Sequence, residues 1–99
     1  PAANSTIQND TGLDSTWIIR VNGTQVAIGT VLAHSFALFY LAPLAAASLE
    51  MELGNINPGS CTLQHGGNLI DGDVDNNIVQ WFNQTTDATG VLIIFPKPA

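Results

Sequence analysis

The sequence predicts an all-β domain, an antiparallel β-sandwich or small barrel of about six to eight short strands. Three observations carry that expectation. Short apolar and β-branched runs recur along the chain with Gly, Asn and Pro turn signals between them. Asn22-Gly23 stands between two such runs and signals a tight hairpin, because both residues accept the positive φ that a two-residue turn demands. The final apolar run, Val91 to Phe95, closes on Pro96 and Pro98, which cannot donate to a ladder.

Residues 1–14 are mostly polar and read as a flexible lead-in or linker, leaving 15–99 as a single β domain. The chain opens at Pro1 with neither a basic flank nor an apolar run, so no signal-peptide pattern is visible there, and the start reads as that of a processed or excised domain. Thr16 to Val21 forms the first expected strand. Thr24 to Ile28 returns along it, with Val26 and Ile28 alternating with Gln25 and Ala27 as in a half-buried strand. Gly29 marks a bulge before Thr30, Val31 and Leu32 continue the strand. Ser35 to Leu41 reads as a strand buried on both faces, or as an inner strand of a sandwich. Two patterns compete after Pro43. The Ala and Leu content favours a short helix near 44–50, whereas Leu49, Met51 and Leu53 alternate with Glu50 and Glu52 as a strand would. A strand from about Ala47 is the expectation, with the helix as its alternative. Asn57-Pro58-Gly59 is a turn, Ser60 to Gln64 a short strand broken at Gly66-Gly67, and Asp71 to Asn76 an acidic loop. Asn77 to Phe82 is a further strand, and a polar loop over residues 83–90 leads into the last one.

From Val21 to Leu49 the chain carries no formal charge, and the stretch is long enough to span a bilayer. His34, Ser35 and Pro43 interrupt it and its first half is β-branched, so it reads as buried strands, with no membrane insertion. Charged residues make up 10% of the chain, against about a quarter in an ordinary domain, so solubility rests on Asn, Gln, Ser, Thr and Gly. The net charge is −6, with only Arg20 and Lys97 opposing the acids. Two separated cations cannot displace the counterions of a phosphate backbone, which excludes nucleic-acid partners. Cys61, the single cysteine, has no internal disulfide partner and reads as a small buried apolar residue.

Asp71, Asp73 and Asp75 are the candidate metal ligands. Alternate carboxylates in a glycine-containing loop can fold round a hard cation, and calcium is the cofactor they imply. The run opens like an EF-hand loop and departs from it at Asn76, where the turn glycine belongs, and at Phe82, where the bidentate Glu belongs. No catalytic residue is assigned. His34 and His65 lack zinc spacing, Ser60 has no nucleophile elbow to join His65 and Asp71 in a triad, and Glu50 with Glu52 most simply keeps a strand face soluble. Pro1, the amino-terminal base of tautomerases, is followed by a polar segment rather than a buried strand. Four Asn-x-Ser/Thr sites, Asn4, Asn9, Asn22 and Asn83, are glycosylation candidates and mark expected exposed loops of an extracellular domain.

The strand pattern together with the Asp71–Asp75 run resembles the protruding domain of a small non-enveloped RNA virus capsid, of the nodavirus or tombusvirus kind. That resemblance implies a non-enzymatic β-sandwich on the virion surface, a homo-oligomer that contacts a host receptor, with residues 1–14 as the linker from the shell. The alternative is a secreted or cell-surface adhesin-like glycosylated module binding a surface glycan, with Trp17, Trp81 and Tyr40 as possible stacking platforms.

Overall fold

The computed structural model describes residues 1–65, 67–85 and 90–98. Its ten strands are β1 (Ser5–Asn9), β2 (Ser15–Val21), β3 (Thr24–Val31), β4 (Phe36–Phe39), β5 (Ala47–Leu53), β6 (Ser60–His65), β7 (Asn68–Asp71), β8 (Asp73–Asp75), β9 (Ile78–Gln84) and β10 (Gly90–Phe95). They form two five-stranded sheets, the first ordered β4-β1-β10-β6-β7 and the second β3-β2-β5-β9-β8. All pairings are antiparallel except β1 with β10, which run parallel in the register Ile7 opposite Leu92. The fold is therefore an all-β sandwich, with more strands than the apolar runs alone suggest and one parallel pair joining the first strand to the last.

Period-two patterning explains the core. Ile7, Leu92, Ile94, Cys61 and Leu63 point inward from the first sheet, and Trp17, Ile19, Leu49, Met51, Leu53, Val79 and Trp81 meet them from the second, all at most 4% exposed. Trp17 packs against Phe39 across the sheets at 5.6 Å between ring centroids.

Asn22 (φ 51°) and Gly23 (φ 83°) make the expected positive-φ turn between β2 and β3. A strand, not a helix, follows Pro43: β5 begins at Ala47, and its Leu49, Met51 and Leu53 are all buried, because alternation with Glu50 and Glu52 outweighs local helix propensity. The bulge falls elsewhere than Gly29. The register shifts opposite Ile19 and Arg20, leaving Val26 as the extra residue. Gly29 stays in register opposite Trp17, and a Cβ there would lie 2.6 Å from the indole Cζ2. Ser35 to Leu41 is not a doubly buried inner strand. Its core, β4, lies at a sheet edge, with Phe36 68% and Leu38 62% exposed.

Residues 1–14 are not a flexible lead-in. β1 is inserted between β4 and β10, with Ile7 and Asn9 both 0% exposed. A ladder is made by backbone groups, so a mostly polar segment can join it when flanking strands pair on both sides. Of the loop expected over residues 83–90, Asn83 and Gln84 belong to β9, whereas 86–89, like Gly66 of the Gly66-Gly67 break, lie outside the described residues.

Candidate functional site

A shallow groove of about 400 Å³ opens on the outer face of the first sheet. Thr6 and Gln8 of β1 and Asp10 just beyond it form the floor. Phe36 of β4, Val91 of β10 and the turn residues His34 and Ser35 form the walls. The inward Ile7 and Asn9 force Thr6, Gln8 and Asp10 outward together, since neighbouring side chains on an extended chain alternate faces.

The 32–35 turn is fixed from below by residues 9–14. Asn9 Nδ2 donates to Leu13 O at 2.8 Å and to Leu32 O at 3.2 Å, while its Oδ1 accepts from the Thr11 backbone N–H at 3.0 Å and hydroxyl at 2.7 Å. The Ala33 N–H donates to Asp14 Oδ1 at 2.8 Å, the His34 N–H to Thr11 O at 3.1 Å, and the Asn9 N–H to Ser35 O at 2.8 Å. These bonds hold His34 at a φ of 53°, a left-handed backbone that a non-glycine residue adopts at a cost. Within the groove, Gln8 Nε2 donates to both Asp10 carboxylate oxygens, at 2.9 and 3.1 Å. Each oxygen retains acceptor capacity toward solvent.

Ser35, His34 and Asp10 share this groove but are not wired as a triad. The Ser35 hydroxyl donates to Ala33 O at 3.2 Å, and the Asp10 carboxylate accepts from the Gln8 amide. The trio expected from sequence is spread out: Ser60 and His65 occupy opposite ends of β6, about 17 Å apart for five strand steps.

Asp71, Asp73 and Asp75 do not converge, and among the described residues no group of three His, Cys, Asp or Glu side chains could hold a metal ion. Asp71 pairs with Thr62 on the outer face of the first sheet, whereas Asp73 and Asp75 pair with Gln80 and Ile78 on the outer face of the second. Gly72 is the corner where the chain changes sheets, its N–H bonded to Cys61 O at 2.9 Å. The acidic run is thus extended across one side of the sandwich rather than wrapped as a loop.

Trp17 and Trp81, 3% and 2% exposed, are core residues and not stacking platforms, and Tyr40 is half-buried; among the described residues Phe36 and Phe82 are the exposed phenyl rings. The sequons divide by burial. Asn22 and Asn83 are exposed, Asn4 is half-buried with its amide nitrogen donating to Leu41 O at 2.8 Å, and Asn9 is fully buried. On the outer face of the second sheet Arg20 bridges Glu50 and Glu52, the latter at 2.8 Å, and Gln80 Nε2 donates to Glu50 at 2.9 Å. Hydrogen bonds to Glu52 and Glu50 push the pKa of the guanidinium above its ordinary value, though a guanidinium is charged at physiological pH in any setting.

Burial pushes the Cys61 thiol well up from its ordinary value, because the core disfavours the thiolate. We expect the native protein to resist iodoacetamide at pH 8 and to be fully alkylated in denaturant; mass spectrometry reads both, and rapid native labelling would contradict the buried placement. A raised folded-state pKa also means that this thiol's contribution to stability is complete below the unfolded thiol's value and is lost as pH rises above it.

The apolar surface is gathered on one side. Among the described residues nine large hydrophobic side chains are exposed, and six of them, Val26, Ile28, Leu32, Phe36, Leu38 and Leu44, fall in the charge-free stretch from Val21 to Leu49. That stretch supplies β3 and β4, the edge strands of the two sheets on the same side of the sandwich. The opposite edges, β7 and β8, carry Asp71, Asp73 and Asp75. Among the described residues no helix is long and apolar enough to cross a membrane.

Fold and groove define the chain as an all-β sandwich with an open polar–apolar depression on one sheet and uncharged edges on one side. Compared with protein-family models, with curated proteins and with solved structures, it matches none.

Proposed function

We propose that this chain is a non-enzymatic assembly domain that self-associates through the β3 edge of its second sheet. The observation that carries this reading is the asymmetry of the edges. β3 is an eight-residue edge strand without Pro or charge, and it exposes Ile28 (65%) and Val26 (47%). Natural sheets usually protect such an edge with Lys, Pro, a bulge or a covering loop. β3 has a bulge at Val26 but no Lys or Pro, and beyond the bulge Ala27 to Val31 stay in regular register and present an edge that can pair with another strand. A second copy fits because two uncharged β3 strands meet without repulsion. The acidic β7 and β8 edges repel their own kind, which favours a closed pair over an open filament.

The test is solution mass by light scattering for the native sequence and for Ile28→Lys, an exposed substitution that leaves the core intact. The native chain should weigh twice its 10.4 kDa; with a charged lysine from each copy brought to the junction, the variant should be monomeric. A native chain that stays monomeric at all concentrations would sink the proposal. Display on a virion surface beside a host receptor, which the capsid resemblance implies, is compatible with such a paired domain. The groove and the exposed sequons Asn22 and Asn83 favour a second reading, a glycosylated extracellular module with a ligand of its own.

A further inference from the structure

We infer that the groove between β1 and β4 binds a neutral saccharide unit, through Asp10 and Gln8 on its floor and Phe36 on its wall. This site is independent of the β3 edge and goes beyond the assembly role.

The volume of about 400 Å³ lies within the range of small-ligand sites, about 300–1,000 Å³. The lining pairs an apolar surface with a few fixed polar groups. Phe36 is the most exposed large hydrophobic residue described, at 68%, and its ring stands beside the polar floor rather than over the core. A pyranose has the matching anatomy, one face of C–H groups suited to an aromatic ring and a rim of hydroxyls. The Asp10 carboxylate, steadied by Gln8, accepts from two neighbouring hydroxyls, and the Thr6 and Ser35 hydroxyls and the His34 imidazole complete a mixed donor–acceptor rim.

Charge selects among ligand classes. No Lys or Arg lines the groove, and Asp10 repels anions, so phosphates and acidic sugars are disfavoured. A quaternary ammonium ligand wants a cage of several Trp, Tyr or Phe faces, and Phe36 is the one such ring lining the groove. Preorganisation supports a ligand role as well. The turn that carries His34 and Ser35 is held by Asn9, Thr11 and Asp14, so little ordering is required on binding.

The experiment is a two-dimensional ¹H–¹⁵N NMR titration of the full chain with glucose, galactose, mannose and N-acetylglucosamine. Inorganic phosphate and tetramethylammonium serve as counter-probes. At least one sugar should shift the Gln8, His34 and Phe36 amide signals saturably, with a dissociation constant on the order of 1 mM. Asp10→Ala and Phe36→Ala, both surface changes whose folding is checked by far-ultraviolet circular dichroism, should each weaken that binding roughly tenfold. Ile28→Lys should leave it unchanged, which separates this site from the assembly edge. Absence of a saturable response to all four sugars overturns the inference, as does an equal response to phosphate or tetramethylammonium.

Discussion

Removing residues 1–10 should abolish the cooperative fold. β1 is hydrogen-bonded on both sides, to β4 and to β10, so its loss orphans two ladders and detaches the edge strand β4 from its sheet. It also removes Ile7 from the core and Asn9 from beneath the 32–35 turn. Ile7→Ala alone should cost about 2–5 kcal/mol, a large part of the roughly 5–15 kcal/mol that stabilises a domain of this kind. Asn9→Ala leaves Leu13 O, Leu32 O and the Thr11 N–H without their side-chain partner, at about 1–3 kcal/mol for each group that stays dry. Urea unfolding followed by tryptophan fluorescence measures all three. If the shortened chain melted cooperatively at the native midpoint, β1 would be an ornament and the linker expectation would stand.

The second large effect is expected at the corner between β7 and β8. Trp81 is 2% exposed, and its Nε1 donates to Ile70 O at 3.0 Å, joining a side chain of the second sheet to the backbone of the first. Trp81→Ala should destabilise by about 3–5 kcal/mol, and Trp81→Phe by less, mainly through the orphaned Ile70 carbonyl. The indole closes on Gly72, where a Cβ would stand 2.8 Å from Trp81 Cε2 and 2.4 Å from Val79 Cγ1. Gly72→Ala should therefore cost about 1–3 kcal/mol by overpacking. Because the obstruction is shared, combining it with Val79→Ala should cost less than the sum of the two single changes. Strict additivity of the three denaturation midpoints would show that the corner relaxes without pressing on β9.

Where the sequence was legible, a local rule and the global fold agreed. The Asn22-Gly23 turn, the alternation of Leu49, Met51 and Leu53, and the closing run into Pro96 each state their structure within a few residues. The misreadings have a common cause. β1 has one large apolar residue, Ile7, and its strand state is created by two neighbours distant in the chain. Phe36 and Leu38 look like core residues by composition, yet they lie at an edge because nothing in the described chain pairs beyond β4. The acidic triplet has metal-like spacing, but the Gly72 corner sends Asp71 to one outer face and Asp73 and Asp75 to the other.

The groove was the least visible feature. The polar residues of its floor, Thr6, Gln8 and Asp10, sit in a segment that reads as a polar lead-in, and Phe36 on its wall belongs to a run that reads as core. The sequence by itself determined the class of fold, the absence of a cationic face, and the charge-free stretch that became β3 and β4. These are properties of composition and of period-two patterning, which act over a few residues. Tertiary structure alone decided which strands are edges, which sheet face each carboxylate occupies, and which side chains meet in the groove. Those outcomes depend on strand order and register, set by pairing residues far apart in the chain, such as Ile7 with Leu92.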